Sequence, residues 1–343
     1  MSDIGVETAT ELEAPLAAPG SAGRRARPRS EAVLKSAPIA VPFLMLAVLV
    51  AIYGSVQSGA LSLSELNIQA AATMTLLLVA TGQTIVILLG GIDLSVGGIV
   101  SLSTSLAATR LSPGGGMVGW VVLIALFGVA AGALNGLLIA RLRLQPFIVT
   151  LATWSIWSGV ALWVLPTEGG TIPQGFVGWV GHTALGLASP VWLLVALVAF
   201  WAWFKRTRLG VAIKATGSSE NSAFLSGVPT GATAVAAYSL SGLFAALAGL
   251  FLVTQTASGS PTVGNDFILN SVAAVVIGGT SLFGGRGGVG GTIAGAFILT
   301  LIASVIFALN ISSFWTPVMT GVLLIVAVLV NSLTELYSRR RIA

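Results

Sequence analysis

The chain has 343 residues, of which 55% are hydrophobic and 8% are charged, against roughly 25% charged in an ordinary soluble domain. Mean hydropathy is +0.98 and many of the charges gather at the two ends, which excludes a soluble enzyme, a nucleic-acid-binding domain and a disordered chain; the solvent for most of its surface is lipid. Cysteine is absent and His182 is the only histidine, so disulfides, thiolate sites and multi-histidine metal centres are excluded too.

Residues 1–37 stand apart. The stretch 1–23 is acidic and rich in Ala, Glu and Pro, and Arg24, Arg25, Arg27, Arg29 and Lys35 follow as a basic cluster. With no apolar periodicity, 1–37 reads as a disordered cytoplasmic tail. A helix needs about 20 apolar residues to span a bilayer. Ten candidate spans follow, at 38–56, 66–81, 83–107, 117–140, 146–165, 190–204, 232–257, 268–283, 288–309 and 314–337. The first is long for a secretory leader and lacks a clear cleavage site, so it reads as an uncleaved span. Residues 38–338 thus form one membrane domain and 339–343 a basic cytoplasmic end. With the N-terminus inside, 15 of the 16 Lys and Arg residues fall on the cytoplasmic side and only Arg110 outside. That bias favours an even number of spans with both termini cytoplasmic, and places Glu168 and His182 outside.

The 42 glycines are unevenly placed. Gly90 to Gly98 (GGIDLSVGG) and Gly278 to Gly285 (GGTSLFGG) share GGxxL followed by a second glycine pair, which comes one residue sooner in the later block. Lying five spans apart, the two copies would cross in opposite directions, the geometry of a five-plus-five inverted repeat. Coincidence in a glycine-rich chain is the competing reading. Glycine pairs weaken a helix, and a broken helix exposes backbone groups that protein or water must satisfy. Gly90, Gly91, Gly97, Gly98, Gly278, Gly279, Gly284 and Gly285 are therefore candidate hinges. The expected fold is an all-α polytopic membrane protein of about ten helices.

Asp93 is the one acid deep in an apolar context. It reads either as a pathway residue or, preferably, as the N-cap of a half-helix from Leu94, accepting from the Ser95 or Val96 amide. Gln83, Ser95, Asn135, Thr150, Trp154 and Asn270 are the other in-span candidates for a polar route, although such groups more often join helices together. No cluster of charge exists to bind an ion, which suggests an uncharged polar cargo. No GxxxxGK[ST] occurs, so ATP cannot bind by a P-loop, and no catalytic triad or metal-protease motif is present. No cofactor or nucleic acid is expected.

The longest internal loop, 205–229, begins basic and carries Ser219-Glu220, a helix start, with Gly227 as a stop. Loops of this length usually have a role, and docking of a soluble partner fits. At this point the sequence resembles the ribose-type permeases of bacterial ABC sugar importers. The resemblance is carried by GGIDLSVGG at 90–98, PFIVTL at 146–151, TRLG at 207–210, LSG at 225–227 and AAVVIGGTSLFGGRGGVGGTIAG at 273–295. It implies a multi-pass subunit of the bacterial inner membrane that imports a monosaccharide or similar solute. It also implies a second permease subunit, a periplasmic sugar-binding protein and a separate cytoplasmic ATP-binding subunit docked on 205–229. Gly217, Ser219, Glu220, Ser226 and Gly227 occupy the coupling-loop pattern. Ser219 stands where Asn is common, while Phe224 and Ser158 stand where Arg is common. The rival reading is an ion-coupled secondary transporter of a small polar solute, for which Asp93 is the sole support.

Overall fold

The computed structural model of the chain describes residues 29–111, 116–312, 314–322, 324–326 and 329. The chain forms two units, Met1–Ser36 and Ala37–Ala343, and the helical bundle is the second. Most of the expected tail lies outside the described residues, but from Arg29 onward the chain is already helical. The helices in chain order are α1 (Arg29–Val56), α2 (Leu63–Leu89), α3 (Ser95–Arg110), α4 (Met117–Leu142), α5 (Pro146–Val164) and α6 (Gln174–Gly181). After a two-stranded hairpin, β1 (Thr183–Ala184) and β2 (Leu187–Ala188), come α7 (Ser189–Phe204), α8 (Arg208–Ser218), α9 (Glu220–Leu225), α10 (Thr230–Thr256), α11 (Asn265–Ile277) and α12 (Val289–Ala308). Among the described residues five helices are long and apolar enough to cross a membrane: α2, α4, α5, α10 and α12. A sixth crossing arises if α7 and α8, bent by 72°, are taken as one broken span. Of the expected tenth span, 314–337, the described part carries an apolar helix, Trp315–Val326, and the residues beyond 329 lie outside the described residues.

Local chemistry sets the helix ends. Ser62 caps α2 by accepting from the Glu65 amide (3.2 Å), and Glu65 complements the positive N-terminal end. Pro146 and Pro190 open α5 and α7, where a missing N–H costs nothing. One expected boundary is wrong. Spans ending at 81 and starting at 83 were expected to meet near Gly82, but α2 runs straight through it. Gly82 serves packing instead: a methyl there would lie 2.9 Å from the Ser241 Cα. The real break comes at 90–94.

The helix α2 is the buried axis of the bundle, packed against α7, α8, α10, α11 and α12. It runs antiparallel to α12, because Thr84 bonds Thr292 (2.8 Å) near one end and the Gln69 amide bonds Ser304 (3.1 Å) near the other. The helix α11 is also antiparallel to α12, with Gly278 against Gly291 and Ala274 against Gly295. So α2 and α11 run in the same sense. The two glycine blocks that follow them therefore do not cross in opposite directions, and these motifs do not form an inverted repeat. Their likeness is local. Gly91 N donates to Val86 O and Gly90 N to Ile87 O; Thr280 N donates to Val275 O and Gly279 N to Val276 O. Each is the same left-handed helix stop, with φ of 95° at Gly90 and 79° at Gly279. The equivalence pairs Gly90 with Gly279, one residue off the sequence match.

Candidate functional site

The link between α2 and α3 is held by side chains from five helices, α2, α3, α4, α5 and α10. The Gln83 side-chain amide of α2 donates to the Asp93 carbonyl (3.0 Å) and accepts from the Asp93 amide (3.3 Å). Asp93 Oδ1 accepts from the Ser95 amide (3.0 Å) and the Ser95 hydroxyl (2.6 Å); the N-cap position of α3 is Leu94, so Asp93, the expected cap, holds the first residue of the helix from one position outside it. Asn135 of α4 donates to the same hydroxyl (2.8 Å), and Thr150 of α5 donates to the Ile92 carbonyl (3.2 Å). From α10, Ser241 faces the carboxylate and the Tyr238 hydroxyl lies against Gly91. All of these side chains are at most 1% exposed. Five of the expected pathway residues, Gln83, Asp93, Ser95, Asn135 and Thr150, are thus one buried polar hub inside a single chain.

Trp154 and Asn270 lie elsewhere. Trp154 donates its indole N–H to Asn265 Oδ1 (3.1 Å), tying α5 to the first turn of α11, and Asn270, later on the same helix, is half-buried. Gly97 and Gly98 also depart from expectation: they sit inside α3, not in a break. A methyl on Gly97 would lie 3.0 Å from the Gly264 carbonyl, and one on Gly98 would lie 2.8 Å from the Trp154 carbonyl. They let α11 and α5 approach α3.

The loop at 205–229 is a pair of helices. Thr207 caps α8 and Ser219 caps α9, whose end is closed by Gly227 (φ 82°) with Val228 N donating to Ala223 O. The start and stop are those expected from Ser219 and Gly227. Ser226 turns its hydroxyl back onto the Ser222 carbonyl (2.8 Å). Glu220, Phe224 and Leu225 are exposed, and both apolar side chains are more than 60% accessible. A crevice of about 850 Å³ is lined by Arg143, Glu220, Phe224, Gly91 and Tyr238, among others.

Residues 67–328 match the family described as branched-chain amino acid transport system / permease component. The chain belongs to this family. The permease is 35% identical over 297 residues to the ribose import permease protein RbsC of Escherichia coli (strain K12), covering 84% of this chain and 92% of the relative. It is 35% identical over 277 residues to the autoinducer 2 import system permease protein LsrC of E. coli (strain K12 / DH10B), 79% of each chain. It is 33% identical over 305 residues to the D-allose transport system permease protein AlsC of E. coli (strain K12), 85% of this chain and 90% of the relative. No solved structure matches it. The resemblance to ribose-type ABC sugar permeases is borne out. Sequence reasoning about this permease missed Tyr238, Ser241 and Asn265. The one available signal was polarity: a tyrosine in an apolar helix carries a hydroxyl that calls for polar surroundings.

Proposed function

We propose that the chain is the transmembrane permease subunit of an ABC importer. It carries a monosaccharide or similarly small, neutral, polar solute into the cytoplasm, and a separate subunit hydrolyses the ATP. The observation that carries this reading is similarity spanning 92% of a ribose import permease; the D-allose name of another relative points to the same class of cargo. The chain works with a second permease subunit and receives solute from a periplasmic binding protein. The basic end of the bundle is cytoplasmic, as are both termini, and the full chain crosses the inner membrane about ten times. The exposed face of α9, with Glu220, Phe224 and Leu225, docks the ATP-binding subunit. Trp154 and Asn270 border the solute route, while the Asp93 hub is structural.

Affinity purification of the chain from its native membrane tests the reading. An ATP-binding subunit should co-purify, and vesicles holding the complex should take up labelled ribose or another sugar of a pentose, hexose and polyol panel when ATP is supplied. Glu220→Arg should lower uptake at least tenfold while the permease stays in the membrane. Wild-type uptake by Glu220→Arg with the ATPase still bound sinks the docking claim.

A further inference from the structure

Three separate stretches of main chain meet at one point, glycine against backbone, with the Ser218 hydroxyl as the side chain that reaches Gly285. They are the end of α2 (Leu88 and Gly90), the end of α8 (Gly217 and Ser218) and the loop after α11 (Gly284 and Gly285). Gly285 N donates to the Leu88 carbonyl (2.9 Å), joining the two breaks directly. Gly217 seats against that bond. A methyl on Gly217 would overlap the Leu88 carbonyl oxygen and lie 2.9 Å from Gly285 N. A methyl on Gly284 would lie 2.7 Å from the Gly217 carbonyl and 3.1 Å from Gly90 N, and one on Gly285 would lie 3.0 Å from the Ser218 Cα. Gly284 and Gly285 also hold φ of 85° and 70°, which other residues rarely adopt.

We infer that Gly217 is a positioning residue through which α8 bears on both helix breaks at once. The inference rests on the coupling reading above and names the contact that reading lacks. Side chains between two elements can absorb a small displacement by changing rotamer. Main chain seated on main chain cannot, because packed interiors transmit strain. Helix α8 therefore passes a shift at its C-terminal end to the 90–94 link and the 278–288 loop together. Those two segments carry the starts of α3 and α12. The same short region faces both ways: Gly217 is half-buried against the bundle, while Glu220, Phe224 and Leu225 are exposed. A tight joint of this kind moves as a unit, so the contact persists while the surrounding helices shear.

The test uses the complete transporter in vesicles and measures ATP hydrolysed per solute moved. Gly217→Ala should cut uptake at least tenfold with the ATP-binding subunit still attached, and raise ATP consumed per solute at least tenfold. A merely structural defect would lower hydrolysis and uptake together and overturn the inference, as would wild-type uptake. Should Gly217→Ala fail to accumulate, a Ser218→Cys/Arg286→Cys pair decides, in a chain that has no natural cysteine. Joining the pair with a short thiol cross-linker should change uptake less than twofold relative to the same variant unlinked. Arrest on linking would show that the contact opens during the cycle and would overturn the joint. Absence of any bound ATPase in the wild type is a different failure, that of the coupling reading itself.

Discussion

At Asp93 a single carboxylate explains how an acid survives in an apolar stretch. On insertion scales such a residue costs roughly 2.5–3.5 kcal/mol at a helix centre. The protein offsets this by making Asp93 the acceptor for both the amide and the hydroxyl of Ser95. Asn135 then fixes the hydroxyl and Gln83 fixes the Asp93 main chain. The residue needs to accept hydrogen bonds, and an amide oxygen can do that too. Asp93→Ala leaves the Ser95 donors without an acceptor in a buried site, which costs about 2 kcal/mol. Asp93→Asn keeps one acceptor and should cost less than half as much. Thermal unfolding of the detergent-purified permease checks the order, Ala well below Asn and Asn close to wild type. Asn as damaging as Ala would mean that the charge itself is required, and would return Asp93 to the solute route.

Among the helices, the closest pairing is α4 along α10. Gly128, Gly132 and Gly136 recur every fourth residue, so they line one stripe of α4. A methyl on Gly128 would overlap the Gly242 carbonyl, and one on Gly132 would overlap the Tyr238 carbonyl. A methyl on Gly136 would crowd the Val235 Cα. Gly132→Val should therefore force the helices apart and abolish a monodisperse peak in size-exclusion chromatography. Gly119→Val, on the same helix with open space around it, should elute as wild type. Equal behaviour of the two would refute the packing role. The same comparison shows what was legible in the sequence. Element existence was legible, since apolar length alone located α4, α5, α7, α10 and α12. So were ends with a chemical signature, as at Pro146, Ser219 and Gly227. The Gly82 boundary was misplaced because a packing glycine and a breaking glycine look alike in one dimension. The junction of Leu88, Gly217 and Gly285 was illegible for a related reason: a glycine contact has no side chain to advertise its partner. The hub was half legible, since its polar members could be named, but the pairing of Asn135 with Ser95 is set by how α4 packs on α3, which no residue pattern states.

For the whole molecule, the decisive asymmetry is charge. Folding brings Arg141 and Arg143 from the α4–α5 turn, Lys205, Arg206, Arg208 and Lys214 from the α7–α8 region, and Arg286 from the loop after α11 to one end of the bundle. Arg110 stands at the other end, over the Trp120 ring at 5.6 Å from its centroid. Glu168 shares Arg110's end, because the segment that follows it hydrogen-bonds the Ala108 carbonyl at the close of α3. Such a distribution orients a chain during insertion, since cytoplasmic loops retain Lys and Arg. The arrangement predicts which surfaces a reagent reaches from each side. Phe224 lies at the basic end and is 65% exposed, while Leu185 is 90% exposed on the hairpin beside His182. A membrane-impermeant maleimide should label Phe224→Cys only in inside-out vesicles and Leu185→Cys only in intact cells stripped of their outer wall. The natural chain contributes no background, having no cysteine. Labelling of both from one side would break the topology, and the reverse pattern would place α8 and α9 outside. In that case no ATP-binding subunit could reach the joint at Gly217, and the direction of transport and the source of its energy would both have to be sought in the opposite face of the bundle.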